Sequence, residues 1–151
     1  MTLKTQLKTF LWFPGNMDDA LAFYAKTFED FVIKGENRPD PSKPRFTADF
    51  SIYGHDFIGM NWPGGPEFND SISLSLNVDG QAEVDRLWNA ITERGKAGQC
   101  GWCTDEFGIP WQVSPIQMRE HLENPDPAKA MFANEALRKM TKIVIDELYE
   151  H

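Results

Sequence analysis

Apolar residues along the chain fall into short runs separated by Gly and Pro clusters, and each run has the period of a strand or of a helix. Leu7 to Phe13 is dense in aromatic and β-branched residues and ends at Pro14-Gly15, which predicts a strand. Asn16 then stands as an N-cap, with Asp18 and Asp19 in the first turn, where the helix dipole favours negative charge. Met17, Leu21, Tyr24 and Phe28 recur at helical spacing behind it. Phe31 to Lys34 is a short strand candidate, and Asn37 to Pro44, with three prolines, is a loop. Phe46 to Tyr53 and Phe57 to Trp62 read as two strands joined at Gly54-His55-Asp56.

After the break at Pro63 to Pro66 comes the clearest alternation. Ile72, Leu74, Leu76 and Val78 alternate with Ser71, Ser73, Ser75 and Asn77, a strand with one greasy and one hydroxyl-rich face. Asp79-Gly80 opens a helix with Val84, Leu87, Trp88 and Ile91 on one side, ending near Gly95. Beyond a Gly-rich stretch, Gly108 to Ser114 is a final strand. Pro125 and Pro127 precede a terminal helix carrying Met131, Ala136, Leu137, Met140, Val144 and Leu148. A displacement of 63 residues lays Leu11 on Leu74, Phe13 on Leu76, Leu21 on Val84, Tyr24 on Leu87 and Phe28 on Ile91. Identity is nearly absent, but the hydrophobic phase survives, which implies a module of about sixty residues present twice.

Composition narrows the function classes. The 15 Lys and Arg stand against 23 Asp and Glu, a net charge of −8. Such a surface repels phosphate backbones and anionic membranes, so neither nucleic acid nor membrane is an expected partner. No apolar run approaches the ~20 residues that span a bilayer. The first eight residues lack the apolar stretch and cleavage site of a signal peptide. Cys100 and Cys103 are too few for a disulfide scaffold. A reduced, cytoplasmic protein is the expectation.

The stretch Phe13-Pro-Gly-Asn-Met-Asp-Asp-Ala-Leu-Ala-Phe-Tyr24, the block Cys100-Gly-Trp102 with Asp105-Glu-Phe-Gly-Ile-Pro-Trp-Gln-Val-Ser-Pro115, and the tail from Asp126 through Ile143 carry a family resemblance. The chain resembles the PhnB-like (3-demethylubiquinone-9 3-methyltransferase-like) group of the vicinal oxygen chelate superfamily, which includes glyoxalase, bleomycin-resistance and dioxygenase proteins. The resemblance implies an α+β fold of paired βαβββ modules forming a cupped mixed sheet, with a C-terminal helix. In these terms the chain is a single domain, with modules at about 5–62 and 70–115 and a helical extension at about 125–150. A homodimer is implied as well, with the apolar stripe of the terminal helix as a candidate contact.

Each helix must cover the apolar side of its sheet, so Ile72, Leu74, Leu76 and Val78 are expected beneath it. Ser71, Ser73, Ser75 and Asn77 then line the other face. By the repeat, Lys8, Phe10 and Trp12 do the same, and the resemblance adds Gln112 and Ser114, with Trp111 and Val113 turned away. Metal-dependent relatives hold His or Glu at four inward positions, because divalent metals need imidazole or carboxylate donors. Here those positions hold Lys8, Gly59 or Met60, Ser73 and Gln112, so no metal and no other cofactor is expected.

The remaining motifs carry less. His55, His121 and His151 have no ligand spacing, and His55 reads as a turn residue. Cys100-Gly-Trp-Cys103 has dithiol spacing, but the stretch from Thr104 to Pro110 promises a turn rather than the helix N-terminus that lowers a thiol pKa. A methyltransferase of the common kind binds its cofactor on a Gly-rich loop after the first strand of a doubly wound sheet, and no such loop occurs. The candidate ligand-binding residues are Lys8, Phe10, Trp12, Phe50, Trp62, Ser73, Ser75 and Gln112, an apolar cup with a few hydrogen-bonding groups. The same aromatics could instead fill the cup as core. Binding of a small, partly aromatic or amphipathic molecule without a metal is the leading expectation, sequestration as in drug-resistance proteins being one form. The alternatives are a metal-independent lyase, isomerase or transferase using Lys8 or Asp49, and a structural or partner-binding dimer. No catalytic residue is assigned.

Overall fold

A computed structural model describes residues 3–151, and the chain divides into two compact units, one ending at Pro66 and the next beginning at Glu67. The first unit runs β1 (Thr9–Phe13), α1 (Met17–Thr27), β2 (Phe31–Asn37), β3 (Thr47–Ile52) and β4 (His55–Asn61). The second runs β5 (Leu74–Val78), α2 (Gln81–Thr92), β6 (Lys96–Ala97), β7 (Trp102–Thr104) and β8 (Pro110–Pro115), followed by α3 (Met118–Leu122) and α4 (Pro127–Arg138). Each unit holds a four-stranded mixed sheet, in the orders β1-β4-β3-β2 and β5-β8-β7-β6. In each, the first strand pairs in parallel with the last, and the other pairs are antiparallel. The module read twice from the hydrophobic phase is therefore real, with the βαβββ order that the resemblance implies, and the residues it superposed do the same work. Leu21, Tyr24 and Phe28 are buried in one unit, as Val84, Leu87 and Ile91 are in the other.

Several local expectations need correction. Asn16 occupies the N-cap position of α1, but its side chain makes no capping bond. The orphan amide of Met17 donates instead to Asn61 Oδ1 (3.0 Å), so β4 caps the helix. The β3–β4 turn is Tyr53-Gly54, both at positive φ (49° and 77°). That geometry matches the strand twist in a two-residue hairpin. His55 and Asp56 consequently belong to β4 and are not turn residues. Ile72 lies outside β5 and is 76% exposed rather than under the helix. Ser71 is held in a side-chain turn, its amide donating to Asn69 Oδ1 (2.9 Å), so the strand begins only at Leu74.

The predicted terminal helix also stops early, at Arg138. Met140 and Thr141 instead run beside the β6–β7 turn, their carbonyls accepting from the amides of Cys100 (2.8 Å) and Gly101 (2.7 Å). Gln81 then clamps the strap on both sides, donating from Nε2 to the Ile143 carbonyl (2.9 Å) and accepting at Oε1 from the Ile145 amide (2.8 Å). A short 3-10 turn, Ile145–Glu147, comes next. Ala133, Met140, Ile143 and Leu148 form a satellite core with Met118, Leu122, Ala136 and Leu137 packed against it. Ala133, Ala136 and Leu137 of α4 thus find cover within their own unit, while Met131 stays 62% exposed. No helix among the described residues is long and apolar enough to cross a membrane.

Candidate uncovered sheet faces

In the first unit, strand alternation divides the sheet cleanly. Leu11 and Phe13 pair with Gly59 and Asn61 on the face that α1 covers; a Cβ on Gly59 would meet Met17 Sδ at 2.7 Å. Phe10 and Trp12 point the other way, in register with Ile58 and Met60 of β4, which are partly exposed. Phe10 is 54% exposed. The Trp12 indole donates to the Trp62 carbonyl (2.8 Å), and Gly65 passes so close to its ring that a Cβ would collide at 2.5 Å. Trp62, also 54% exposed, stacks on Phe46 with centroids 5.9 Å apart. Lys8 donates to Asp49 Oδ1 at 3.3 Å, and Asp49 is the register partner of Ile58 on this same face. The structure thus joins Lys8, Phe10, Trp12 and Asp49. Phe50 is not among them: it is 1% exposed on the α1 side, stacked on Phe57 (5.0 Å), because its place in β3 is odd relative to Asp49.

In the second unit, Leu76, Val78, Trp111 and Val113 are buried on the α2 side. Ser75, Gln112 and Trp102 stand in one cross-strand row on the opposite face, with Asn77 beside Ser114 in the next. Gln112 Nε2 donates to Ser73 Oγ (2.8 Å), so three of the named candidates, Ser73, Ser75 and Gln112, do share a face. Sequence reasoning misses Trp102, since β7 reads only as part of a Gly-rich stretch. Its signal is the Cys-Gly-Trp turn, whose Cys100 and Gly101 at positive φ (57° and 85°) open a hairpin and fix the register of Trp102.

Behind this face, Asp105 is 3% exposed and accepts from the amides of Phe107 (2.9 Å) and Ile109 (3.0 Å) and from the Trp111 indole (2.9 Å). Burial, together with the Asp105 carboxylate, pushes the Cys103 thiol up to about 12. It stays protonated near neutral pH and is not a nucleophile.

The chemistry of the four positions that hold a metal in the wider superfamily can be judged unit by unit. Lys8 offers an ammonium already engaged by Asp49, Gly59 lies on the helix side, and Met60 offers only a thioether. Ser73 and Gln112 offer a hydroxyl and an amide bonded to each other. Such groups are not the imidazoles and carboxylates that a divalent ion takes, and the residues do not fit one. Among the described residues, no three His, Cys, Asp or Glu are grouped to hold a metal ion.

Comparison with known proteins agrees with this architecture. The family model described as 3-demethylubiquinone-9 3-methyltransferase matches residues 5–114. Among solved structures, a putative 3-demethylubiquinone-9 3-methyltransferase, PhnB protein, from Bacillus cereus is 22% identical, covering 74% of this chain and 99% of its own, with a TM-score of 0.67. A protein from Pseudomonas aeruginosa is 27% identical, covering 74% and 98%, with a TM-score of 0.62. The fosfomycin resistance protein FosX from Listeria monocytogenes is 14% identical, covering 78% and 97%, with a TM-score of 0.55. Comparison with curated proteins gave no match. Neither sheet has the doubly wound parallel order of the common dinucleotide-binding folds. With more than two thirds of its length matched and both sheets in the expected order, the chain belongs to the 3-demethylubiquinone-9 3-methyltransferase (PhnB-like) family and has the glyoxalase-type, vicinal oxygen chelate fold.

Proposed function

We propose that this protein binds a small, partly aromatic or amphipathic molecule on the uncovered faces of its sheets, without a divalent metal. The observation that carries the reading is the composition of those faces. One offers Phe10 and Trp12 beside the Lys8–Asp49 pair, and the other offers Ser75, Gln112 and Trp102 in one row. Rings give apolar area at small entropic cost, and a few amides and hydroxyls fix orientation, which is how small-molecule sites are built. Sequestration fits these residues without any catalytic group. FosX, a fold relative, is named a fosfomycin resistance protein.

A second reading draws on Lys8 and Asp49 being brought within 3.3 Å on an uncovered face. There they could move a proton in a metal-independent isomerase, lyase or transferase. The protein works as a homodimer in this proposal, with exposed Leu3 and Leu7 of the first unit as apolar surface for a second copy to cover. Its two free thiols suit the reducing cytoplasm.

The experiment is a thermal-shift screen of a chemically diverse compound set against chelator-treated protein. A ligand specific to the native state raises the midpoint by mass action. Aromatic compounds carrying hydroxyl or carbonyl groups should dominate the hits; Trp12→Ala should abolish the shifts of those bound on the first sheet, and Gln112→Leu the shifts of those bound on the second. Hits indifferent to both substitutions would move the site elsewhere. Light scattering on the eluting protein reads the dimer, and a monomeric mass at micromolar concentration contradicts that part.

A further inference from the structure

The second unit carries a hollow that the sheet-face reading does not use. Its volume is about 510 Å3, and it lies between the α3–α4 elbow and the chain after the 3-10 turn. An adjoining recess of about 560 Å3 shares Phe132, Tyr149 and Glu150 with it. Both volumes are in the range of small-ligand pockets, roughly 300–1,000 Å3.

The walls are held by specific bonds. Asn134 Nδ2 donates to the Leu122 carbonyl (3.2 Å), fixing the elbow, and Asp126 caps α4 by accepting from the Ala128 amide (3.0 Å). His121 stacks on Tyr149 with centroids 5.1 Å apart and planes 17° from parallel. The Tyr149 hydroxyl donates to Asp146 Oδ1 (2.8 Å), a bond that holds the phenol above its ordinary value. Phe132 borders both hollows, is half-buried, and enters no ring stack among the described residues. Glu150 makes no ion pair among them.

Charge decides the occupant. Asp126, Asp146, Glu147 and Glu150 line the two hollows, against the single ammonium of Lys129. Four carboxylates repel an anion, and the negative face of an unstacked ring attracts a cation. We infer that this hollow binds a small organic cation, an alkylammonium with a compact hydrocarbon body, over the Phe132 ring and beside Glu150. The inference is independent of the sheet-face reading, because none of its residues lies on either sheet.

Choline and its neutral carbon isostere, in which a tert-butyl group replaces the trimethylammonium, test it directly. Titrated into the full chain, choline should shift the amide NMR signals of His121, Lys129, Phe132 and Tyr149 saturably. The neutral isostere should bind at least about ten-fold more weakly. Phe132→Leu should weaken choline binding by roughly five- to thirty-fold, Phe132→Tyr should keep it, and Glu150→Gln should cost a few-fold. Trp12→Ala and Gln112→Leu should leave it unchanged. Equal binding of the two probes, shifts that map elsewhere, or no saturation at tens of millimolar choline would each overturn the inference.

Discussion

The two units share one topology and differ in what stabilises and lines it. In the first, the helix amide left open at α1 is satisfied by Asn61 from β4, and the uncovered face is aromatic with one ion pair. In the second, a buried carboxylate, Asp105, organises the turn into β8, and the uncovered face is a ladder of hydroxyls and amides. The second unit also carries a strap, Met140 to Ile145, which the first lacks. A repeated module keeps the apolar phase that packs helix on sheet, while the polar positions are free to diverge. The fold is duplicated and the chemistry is not.

The largest break in this comparison should come at Asp105. Asp105→Ala strands a buried amide, a half-buried one and a buried indole N–H, and should cost about 3–5 kcal/mol in chemical denaturation. Its nearest counterpart, Asn61→Ala, should cost only about 1–2 kcal/mol, because one capping bond and one loop bond are lost. Equal losses would show that the two units are stabilised alike after all.

Next in size is the hairpin that holds the strap. Gly101→Ala puts a Cβ at positive φ, 2.7 Å from Ile143 Cδ1 and 3.0 Å from the Val113 carbonyl, and should destabilise by about 2–3 kcal/mol. Hydrogen exchange should localise that loss to the strap amides. Gly54→Ala, at a similar φ but with open space around it, should cost about 1 kcal/mol.

A smaller effect is titratable. The bond from Gln81, and then the one from Lys142, hold the Asp85 carboxyl below its ordinary 3.8. Its stabilisation of the strap is therefore complete above that value and fades as pH falls through the lowered one. Strap amides should lose protection below about pH 4, and Asp85→Asn should flatten that dependence without changing the first unit. The smallest change expected is in Lys8→Met. The Lys8–Asp49 pair is partly exposed, so stability should move by less than about 1 kcal/mol, while the affinity of sheet-face ligands should change measurably.

Much of this architecture is legible because it depends on local period. The alternation of Leu74, Leu76 and Val78 against Ser73, Ser75 and Asn77, and the helical stripes of Leu21, Tyr24, Val84 and Leu87, need nothing beyond their neighbours in sequence. The features that escape such reading are set by distant partners. Met140, Val144 and Leu148 continue the spacing of α4, but the Cys100-Gly101 amides take the Met140 and Thr141 carbonyls out of any helix. Asn16 has the chemistry of a cap, yet Asn61, 45 positions on, supplies the bond. Phe50 has the ring of a lining residue, yet one step of register sends it to the helix side. Trp102 escapes notice because a three-residue strand has no period to read.

Calorimetric titration of chelator-treated protein with Mn(II), Ni(II) and Zn(II), alone and with the best compound from the screen, tests the central claim most directly. Ligand affinity independent of metal, with no stoichiometric metal heat lost on substituting Ser73 or Gln112, is the outcome these sheet faces predict. Tight one-to-one metal binding that those substitutions abolish, or a ligand that binds only once the metal is present, would contradict it.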